Sequence, residues 1–288
     1  MSPAAAAVSI QRALAQIAGQ LGASGIEQPR REARLLVAAA LGWEVQQVWN
    51  RPESVLDDTV MAGLQALATR RSAREPLSRI LGHREFWSLR FGLSQATLDP
   101  RPDSETLIEA MLAALPDRTR PYRLLDFGTG TGCLLLAALS ELPRATGVGV
   151  DRAAAAVALA RRNAAALGMA DRACFIAADW GRPLNGQWDV ILANPPYVPS
   201  NEVGSLMPEV AGYDPALALD GGSDGLDAYR QLCPEISRLL ADGGVAFLEL
   251  GAGQLAEVTA IMRRPGLAVR GVRPDLSGID RCIILIKS

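Results

Sequence analysis

The residues best suited to do chemistry form the tetrapeptide Asn194-Pro195-Pro196-Tyr197, which directly follows the apolar run from Trp188 to Ala193. A run of this length and composition is typical of a buried parallel strand, and such strands present ligand-binding residues at their carboxyl ends. Consecutive prolines have fixed φ angles and no N–H groups, and a residue that precedes a proline is held extended. The tetrapeptide is therefore predicted to form a stiff loop, rich in hydrogen-bond acceptors, at the edge of an active site.

The acceptors of this loop suit one kind of reacting group. The Asn194 side-chain oxygen and the Pro195 carbonyl can both accept hydrogen bonds from one planar NH2 group, while the Tyr197 ring supplies a flat wall. An sp2 nitrogen is a weak nucleophile because its lone pair is delocalised, and holding its hydrogens in acceptors makes the lone pair more available. The alternative interpretation is an ordinary proline turn after a strand.

A second pattern lies upstream, where residues 128–132 read Gly-Thr-Gly-Thr-Gly after an apolar stretch. Glycines allow a tight turn and the close approach of a ligand, and the N-terminus of the helix that follows carries partial positive charge. Asp151 lies at the end of the next predicted strand, where its carboxylate can accept hydrogen bonds from both hydroxyl groups of a ribose. A nucleoside cofactor is implied. The glycine loop does not match the sequence fingerprint of nicotinamide-binding proteins, which requires a glycine at the position that Cys133 occupies in this chain.

Alternating helices and strands are expected to position these two loops, as in a doubly wound, mostly parallel sheet. The last two strands are separated by too few residues for a helical crossover and should pair antiparallel. Ser104 is a candidate N-cap for the first helix. The predicted helices are 104–115, 133–142, 153–167, 226–240 and 255–263, and the predicted strands are 123–127, 145–150, 173–177, 188–193, 245–250, 268–272 and 282–286.

Three regions are predicted along the chain. Residues 1–74 show short amphipathic patterns and form a small helical domain, which is either a structural extension or a docking module for a partner. Residues 75–101 form a connector with a strand or hairpin near 86–93, in which Trp87 and Phe91 are expected to pack against the neighbouring domain rather than stack on a ligand. Residues 102–288 form the α/β domain.

Composition excludes several classes of protein. The chain has 288 residues, of which 49% are hydrophobic, so it is a globular protein with ample material for a core. Its formal net charge of -2 provides no global basic field for a nucleic acid. A single histidine disfavours a catalytic triad, and the four cysteines lack metal-ligand spacing and are expected to be buried thiols. No signal peptide or long apolar run is evident, so we expect a cytoplasmic protein without membrane contact.

The Asp-x-Gly-x-Gly-x-Gly form of residues 126–132 resembles motif I of class I S-adenosylmethionine-dependent methyltransferases, which implies a Rossmann-like fold. Together with the Asn-Pro-Pro-Tyr tetrapeptide it is similar to methyltransferases of amino groups in DNA adenine, RNA guanine or protein glutamine. Further stretches look like the HemK/PrmC family, over about residues 75–288: these are 81–87, 100–105, 213–227 and 248–251. One departure is Asp99, where the family usually has an apolar residue before the proline.

The resemblance implies that the protein methylates N5 of the glutamine in the Gly-Gly-Gln motif of class I peptide chain release factors. It implies S-adenosylmethionine as the methyl donor, no metal, and a helical domain that helps to dock the release factor; we expect a monomer. Asn194, Pro195 and Tyr197 would be catalytic, and these three with Pro196 would hold the glutamine amide. The residues implied to contact S-adenosylmethionine are Gly128, Thr129, Gly130, Thr131, Gly132, Asp151, Trp180 and Asn194.

Three alternatives stay open on the sequence. A glutamine of a ribosomal protein could be the substrate instead, or an amino group of a nucleic acid, which would require a flipped or unstacked base. The protein could also bind the cofactor without catalysis. Trp180, implied to contact the adenine, could equally be a packing residue at a strand end.

Overall fold

The structure is a computed structural model that describes residues 8–263 and 266–287. The chain divides into two compact units, Met1–Gly82 and His83–Ser288. Residues 75–101, predicted as one connector, therefore fall partly in each unit. Among the helices of the described residues, none has both the length and the apolar character needed to cross a membrane.

The first unit is mainly helical. Helix α1 begins at Ile10 because the Ser9 hydroxyl caps it, accepting a hydrogen bond from the main-chain nitrogen of Arg12. One face of α1, including Ile17 and Leu21, is fully buried, as its helical spacing predicts. A two-residue strand pair that the sequence did not indicate closes the unit. The elements are β1 Val8–Ser9, α1 Ile10–Ala23, α2 Pro29–Leu41, α3 Val45–Asn50, β2 Val55–Leu56, α4 Asp58–Ser72 and α5 Leu77–Leu81.

Helices α1, α2 and α4 pack against one another around that apolar face. A salt bridge joins α4 to α2, since the Arg71 guanidinium lies 2.6 Å from the Glu32 carboxylate. Both side chains are largely buried, and an ion pair of this kind is favourable only when its geometry and hydrogen bonds are good. The pair thus fixes how these two helices face each other.

The second unit contains a seven-stranded sheet with the order β10-β11-β9-β8-β5-β6-β7. Strands β9, β8, β5, β6 and β7 run parallel, and β11 pairs antiparallel with both β9 and β10. The predicted doubly wound sheet with antiparallel final strands is confirmed. Its elements are β3 His83–Phe86, β4 Leu89–Gly92, α6 Glu105–Ala114, β5 Arg123–Phe127, α7 Cys133–Glu141, β6 Thr146–Asp151, α8 Ala154–Ala166, β7 Ala173–Ala177, β8 Trp188–Ala193, α9 Pro208–Ala211, α10 Asp227–Leu239, β9 Leu240–Glu249, α11 Leu255–Met262, β10 Leu267–Pro274 and β11 Asp280–Lys287.

Strand β8 lies at the centre of this sheet, which explains why every residue of the strand except Asp189 is apolar. It pairs with β5 on one side and β9 on the other, and Ala193 is the register partner of Phe127. The chain order reverses between β5 and β8, and such a switch point opens a crevice at the carboxyl ends of the strands. Gly128 and Asn194, each one residue beyond this register pair, therefore leave the sheet at the same edge.

The predicted strand or hairpin near residues 86–93 is a hairpin. Strands β3 and β4 pair antiparallel, and the turn residues Trp87 and Ser88 have φ angles of 51° and 57°. Phe91 is fully buried and the indole of Trp87 donates a hydrogen bond to Glu141, so both residues pack inside the second unit. Asn163 joins the hairpin to the glycine loop, because its side-chain nitrogen donates to the carbonyls of Gly92 and Thr131.

Several expectations about single residues and bounds were wrong. Ser104 occupies the N-cap position of α6 but makes no capping hydrogen bond, because its hydroxyl donates to a buried carboxylate. Strand β9 begins at Leu240, not 245, since its first residues bulge beside Trp188. Cys174 is exposed rather than buried. The loop from residue 198 to 226 carries short helical turns that apolar periodicity did not show.

Candidate active site

The glycine loop between β5 and α7 is shaped by three left-handed residues. Gly128, Gly130 and Gly132 have φ angles of 67°, 54° and 82°, a region that side chains other than glycine's rarely adopt. A Cβ on Gly130 would meet only the Gly128 carbonyl oxygen at 3.9 Å, whereas one on Gly132 would crowd Phe175 at 3.2 Å. Gly130 thus leaves its main chain open to a ligand, and Gly132 lets the start of α7 pack closely on the core.

Two aspartates, Asp126 and Asp151, hold this loop by accepting hydrogen bonds from it. Asp126, the last residue but one of β5, accepts a 2.6 Å hydrogen bond from the Thr129 hydroxyl, and burial raises the pKa of the Asp126 carboxyl to about 7. Asp151, at the end of β6, accepts hydrogen bonds of 2.9 Å from the main-chain nitrogens of Gly130 and Ala153. Each carboxylate oxygen of Asp151 keeps a further lone pair for a ligand.

Trp180 follows β7 in the chain and lies beside the glycine loop. Its φ of 50° is unusual for an aromatic residue, and its ring meets Phe127 edge to face with centroids 6.3 Å apart. The indole nitrogen donates to the Gln231 side chain at 2.7 Å, which fixes the ring plane. The residue is half-buried and lines the cavity described below, so it combines packing with a surface open to a ligand.

Asn194 lies beside the loop at Gly128 and is held by a hydrogen-bond chain. Its side-chain nitrogen donates to the Ser104 hydroxyl at 3.0 Å, and that hydroxyl donates to Glu249 at 2.5 Å. Ser104 is 2% exposed and Glu249 is 1% exposed. Within the described residues, the side-chain oxygen of Asn194 and the carbonyl oxygen of Pro195 accept no hydrogen bond, and Asn194 lines the cavity described below.

The Glu249 carboxylate ends β9 in a crowded polar environment. Burial raises the pKa of Glu249 to about 7, although hydrogen bonds from Ser104 and Tyr197 and the charge of Arg281 lower it. The Tyr197 hydroxyl donates to the second carboxylate oxygen at 3.3 Å, and burial raises the pKa of Tyr197 above its usual value. The Tyr229 hydroxyl donates to the main-chain oxygen of Glu249 at 2.8 Å.

One cavity of about 1000 Å³, including space open to solvent, joins the glycine loop to Asn194. Asn194 is beside the glycine loop, because a Cβ on Gly128 would lie 3.9 Å from the Asn194 carbonyl oxygen. The predicted site residues that line the cavity are Gly128, Thr129, Gly130, Thr131, Asp151, Trp180, Asn194 and Pro196.

Three of the predicted residues do not line that cavity. Gly132 is turned into the core, and Pro195 is buried behind Asn194. The Tyr197 ring packs near Gly251 and its hydroxyl points to Glu249, so the expected flat wall is not part of the cavity surface. Their predicted contacts with ligands stay predictions.

Several residues of this site were not predicted from the sequence to bind a ligand or to take part in catalysis. Ser104, Leu98 and Arg101 line the cavity from the segment before α6, and Pro215 and Leu217 line it from the loop after β8. Glu249 lies behind Ser104 rather than in the lining. Ser104, Arg101, Pro215, Leu217 and Glu249 belong to stretches that carried the family resemblance, which was the only signal able to point to them.

Arg101 and Asp214 form a salt bridge between these two lining segments. Asp214 is almost fully buried, and it also accepts a hydrogen bond from the main-chain nitrogen of Asp99 at 3.3 Å. Asp99, the departure from the family pattern, is 2% exposed and lies 3.9 Å from the guanidinium of Arg84. The charge at position 99 is thus accommodated by a basic residue of the hairpin.

Comparisons with known proteins agree with this fold. Residues 12–82 match a family described as the PrmC N-terminal domain, and residues 92–209 match the methyltransferase small domain. The crystal structure of a methyltransferase from Pyrococcus furiosus is similar, with a TM-score of 0.51 and 17% sequence identity over 77% of this chain and 96% of that one. The second unit thus has the fold of a class I methyltransferase.

Curated relatives are similar along nearly the whole chain. A release factor glutamine methyltransferase of Rhodospirillum rubrum is 46% identical over 96% of this chain and 85% of its own length. One of Bradyrhizobium diazoefficiens is 42% identical over 96% of this chain and 94% of its own. The chain belongs to the release factor glutamine methyltransferase family.

Proposed function

We propose that the protein transfers a methyl group from S-adenosylmethionine to the side-chain amide nitrogen, N5, of the glutamine in the Gly-Gly-Gln motif of class I peptide chain release factors. The relatives that share most of this chain carry the name of that activity. The observation that supports it best is that Asn194, with a free side-chain acceptor, shares one cavity with the glycine loop.

The glycine side of the cavity fits the methyl donor. The main chain at Gly130 is open, and the Asp151 carboxylate lies beside it with lone pairs suited to ribose hydroxyls. The fixed Trp180 ring offers a surface for the adenine. S-adenosylmethionine, when bound, supplies a methyl group on a sulfonium, which is ready for displacement without a metal.

The Asn194 side provides for the glutamine. The Asn194 side-chain oxygen and the Pro195 carbonyl accept the two amide hydrogens, which localises lone-pair density on the nitrogen and orients it for in-line attack. Pro196 and Tyr197 keep this loop rigid, so that the acceptors need no rearrangement. Alignment of reacting groups can contribute on the order of 7 kcal/mol or more to a barrier. The proton that the nitrogen loses passes to solvent or to these acceptors.

The helical region from residue 1 to 74 is proposed to dock the release factor, while the second unit binds the glutamine loop. The match of residues 12–82 to the PrmC N-terminal domain supports a role specific to this family. We further propose that the protein acts as a monomer in the cytoplasm and without direct contact to nucleic acid. Its net charge of -2 agrees with a protein partner rather than a phosphate backbone.

The test is mass spectrometry of a purified class I release factor after incubation with this protein and S-adenosylmethionine. We expect one added methyl group, located on the glutamine of the Gly-Gly-Gln loop, and none when that glutamine is replaced by alanine. Ribosomal proteins and DNA are incubated in parallel. Methylation of either of these, with the release factor unmodified, would contradict the proposal.

A further inference from the structure

A chain of hydrogen-bonded side chains connects Asn194 to a buried carboxylate. The Asn194 side-chain nitrogen, the Ser104 hydroxyl and the Glu249 carboxylate are joined by hydrogen bonds of 3.0 and 2.5 Å. Only Asn194 and Ser104 line the cavity, whereas Glu249 is buried one layer deeper. The Ser104 hydroxyl therefore links the Glu249 carboxylate to the cavity surface.

The number of hydrogens in this chain fixes the orientation of the Asn194 amide. An ionised carboxylate can only accept, so the single hydroxyl hydrogen of Ser104 is given to Glu249. Ser104 then has only lone pairs left for Asn194, which must present its NH2 group to Ser104. The opposite orientation would set the Asn194 oxygen against the Ser104 oxygen with no hydrogen between them.

We infer that Glu249 is a positioning residue for methyl transfer: through the Ser104 hydroxyl it holds the Asn194 amide with its oxygen free to accept from the substrate amide. The inference rests on the proposed function, since it assigns the free oxygen to the glutamine. If the oxygen and nitrogen of the Asn194 amide exchanged places, its NH2 group would face the substrate amide. The substrate amide also presents an NH2 group, so two donors would meet without an acceptor. The buried carboxylate thus keeps the Asn194 oxygen, which is an acceptor, facing the substrate.

Glu249 is itself well fixed for this task. Its other carboxylate oxygen accepts from the Tyr197 hydroxyl, and its main-chain oxygen accepts from Tyr229. Cys282 is its register partner on the neighbouring strand β11. The charged and titratable groups that face it are Asp103, Arg281, Tyr197, Tyr229, Cys133 and Cys282.

A purely structural role for the chain would act differently. Ser104 directly precedes α6 and Glu249 ends β9, so their hydrogen bond could serve only to tie these elements together. Loss of such a tie would lower thermal stability and disturb cofactor binding together. Loss of positioning would lower kcat on the release factor while the dissociation constant for S-adenosylmethionine stays unchanged.

The experiment measures kcat and KM on a full-length release factor, and S-adenosylmethionine binding by calorimetry, for a set of variants. Ser104→Ala removes the link, and we expect kcat to fall about 10- to 100-fold, because small misplacements of a reacting group have effects of this size. Ser104→Thr keeps a hydroxyl and should recover most of the turnover. In all these variants we expect cofactor affinity within about twofold of wild type.

Glu249→Gln tests the carboxylate without changing its shape. A glutamine can donate to Ser104, which frees the Ser104 hydrogen for the Asn194 oxygen, so we expect reduced kcat and loss of the pH dependence of kcat near neutrality. Ser140→Ala is the matched control for Ser104→Ala, because it also removes a serine hydroxyl that donates a hydrogen bond, here to the Ala137 carbonyl in α7, and Ser140 does not line the cavity. We expect its kcat within about twofold of wild type.

The outcomes separate the two proposals. If wild type does not methylate the release factor, the proposed function itself fails. If wild type is active and both Ser104→Ala and Glu249→Gln have wild-type kcat, the positioning role is wrong and the proposed function stands. Should Ser104→Ala not fold, Glu249→Gln decides alone, and a fall in cofactor affinity equal to the fall in kcat would also contradict positioning.

Discussion

The two sides of the cavity are built in different ways. The cofactor side, Gly128 to Gly132 with Asp151, consists of main chain in left-handed turns and one carboxylate that accepts from that main chain. The acceptor side, Asn194 with Ser104 and Glu249, consists of side chains separated by 90 and 145 residues in sequence. A motif of nearly consecutive residues therefore reveals the cofactor side in the sequence. The residues of the acceptor side come together only in the folded protein.

This contrast predicts separate effects of mutation on the two sides. Changes on the cofactor side should weaken S-adenosylmethionine binding, because main chain and Asp151 shape the surface it would occupy. Changes on the acceptor side should reduce turnover at saturating cofactor, since those side chains would hold the reacting amide. Failure of this separation would mean that the two sides act as one structural unit.

The largest effect is expected for Asn194→Ala. The substitution removes an acceptor for the amide hydrogens, and loss of one preorganised polar contact at a reacting centre costs on the order of 100-fold or more in kcat. Calorimetry should show little change in S-adenosylmethionine affinity. Near-normal turnover with cofactor saturating would contradict the role of Asn194.

Asp151→Ala should show the opposite pattern. It removes the acceptor of the Gly130 main-chain nitrogen at 2.9 Å as well as the proposed ribose contact. Losing charge-assisted hydrogen bonds worth about 1.5 kcal/mol or more should weaken S-adenosylmethionine binding about tenfold or more. Turnover at saturating cofactor should fall much less than in Asn194→Ala. An unchanged dissociation constant by calorimetry would refute the ribose assignment.

Gly132→Ala tests whether the glycine loop depends on close packing as well as on its φ angles. At Gly132 an added Cβ would meet Phe175, Ala160 and Leu136 at 3.2–3.3 Å, whereas at Gly168, with a φ of 69°, it would meet nothing within 4 Å. Gly168→Ala is thus a control with the same backbone strain, about 1–2 kcal/mol. Chemical denaturation should show that Gly132→Ala lowers the free energy of unfolding more than Gly168→Ala does, by about 1 kcal/mol or more. Equal losses would show that crowding is unimportant.

Much of the fold could be predicted because it depends on local patterns. Strands 123–127 and 173–177 were predicted with the bounds found in the structure, since apolar runs bounded by loops mark buried parallel strands. The glycine loop was equally visible, because its chemistry lies in consecutive residues. These parts of the structure depend on residues that are neighbours both in the chain and in space.

Ser104 and Glu249 show why the rest could not be predicted. Ser104 stands where a helix cap is expected, and its local context gave no sign that its hydroxyl would donate to a carboxylate from β9. Glu249 ends an apolar strand, where a charged residue suggests exposure, yet it is 1% exposed. Tyr197 belongs to the recognised tetrapeptide, but its ring direction depends on Glu249 and Gly251 rather than on its neighbours.

The smallest effect expected concerns pH, and it sharpens the comparison because turnover and stability should change in opposite directions. Burial raises the pKa of Glu249 from 4.5 to about 7, so folding favours its protonated form. Its contribution to stability is therefore full below about pH 4.5 and is lost as the pH rises through about 7. Only the ionised form, however, keeps the Ser104 hydrogen from the Asn194 oxygen, so turnover should rise over the same range.

Thermal melts and kcat are therefore measured from about pH 4.5 to 8.5 on wild type and Glu249→Gln, a window that runs from the ordinary pKa of this carboxyl to beyond the raised one. The comparison between the two proteins is essential, because Asp126, whose pKa burial also raises to about 7, titrates in both. We expect the melting temperature of wild type to fall more steeply with pH than that of the variant. We expect its kcat to rise where that of the variant stays flat. Parallel pH profiles for the two proteins would show that Glu249 does not titrate in this range, and the acceptor side would then need another explanation for its buried charge.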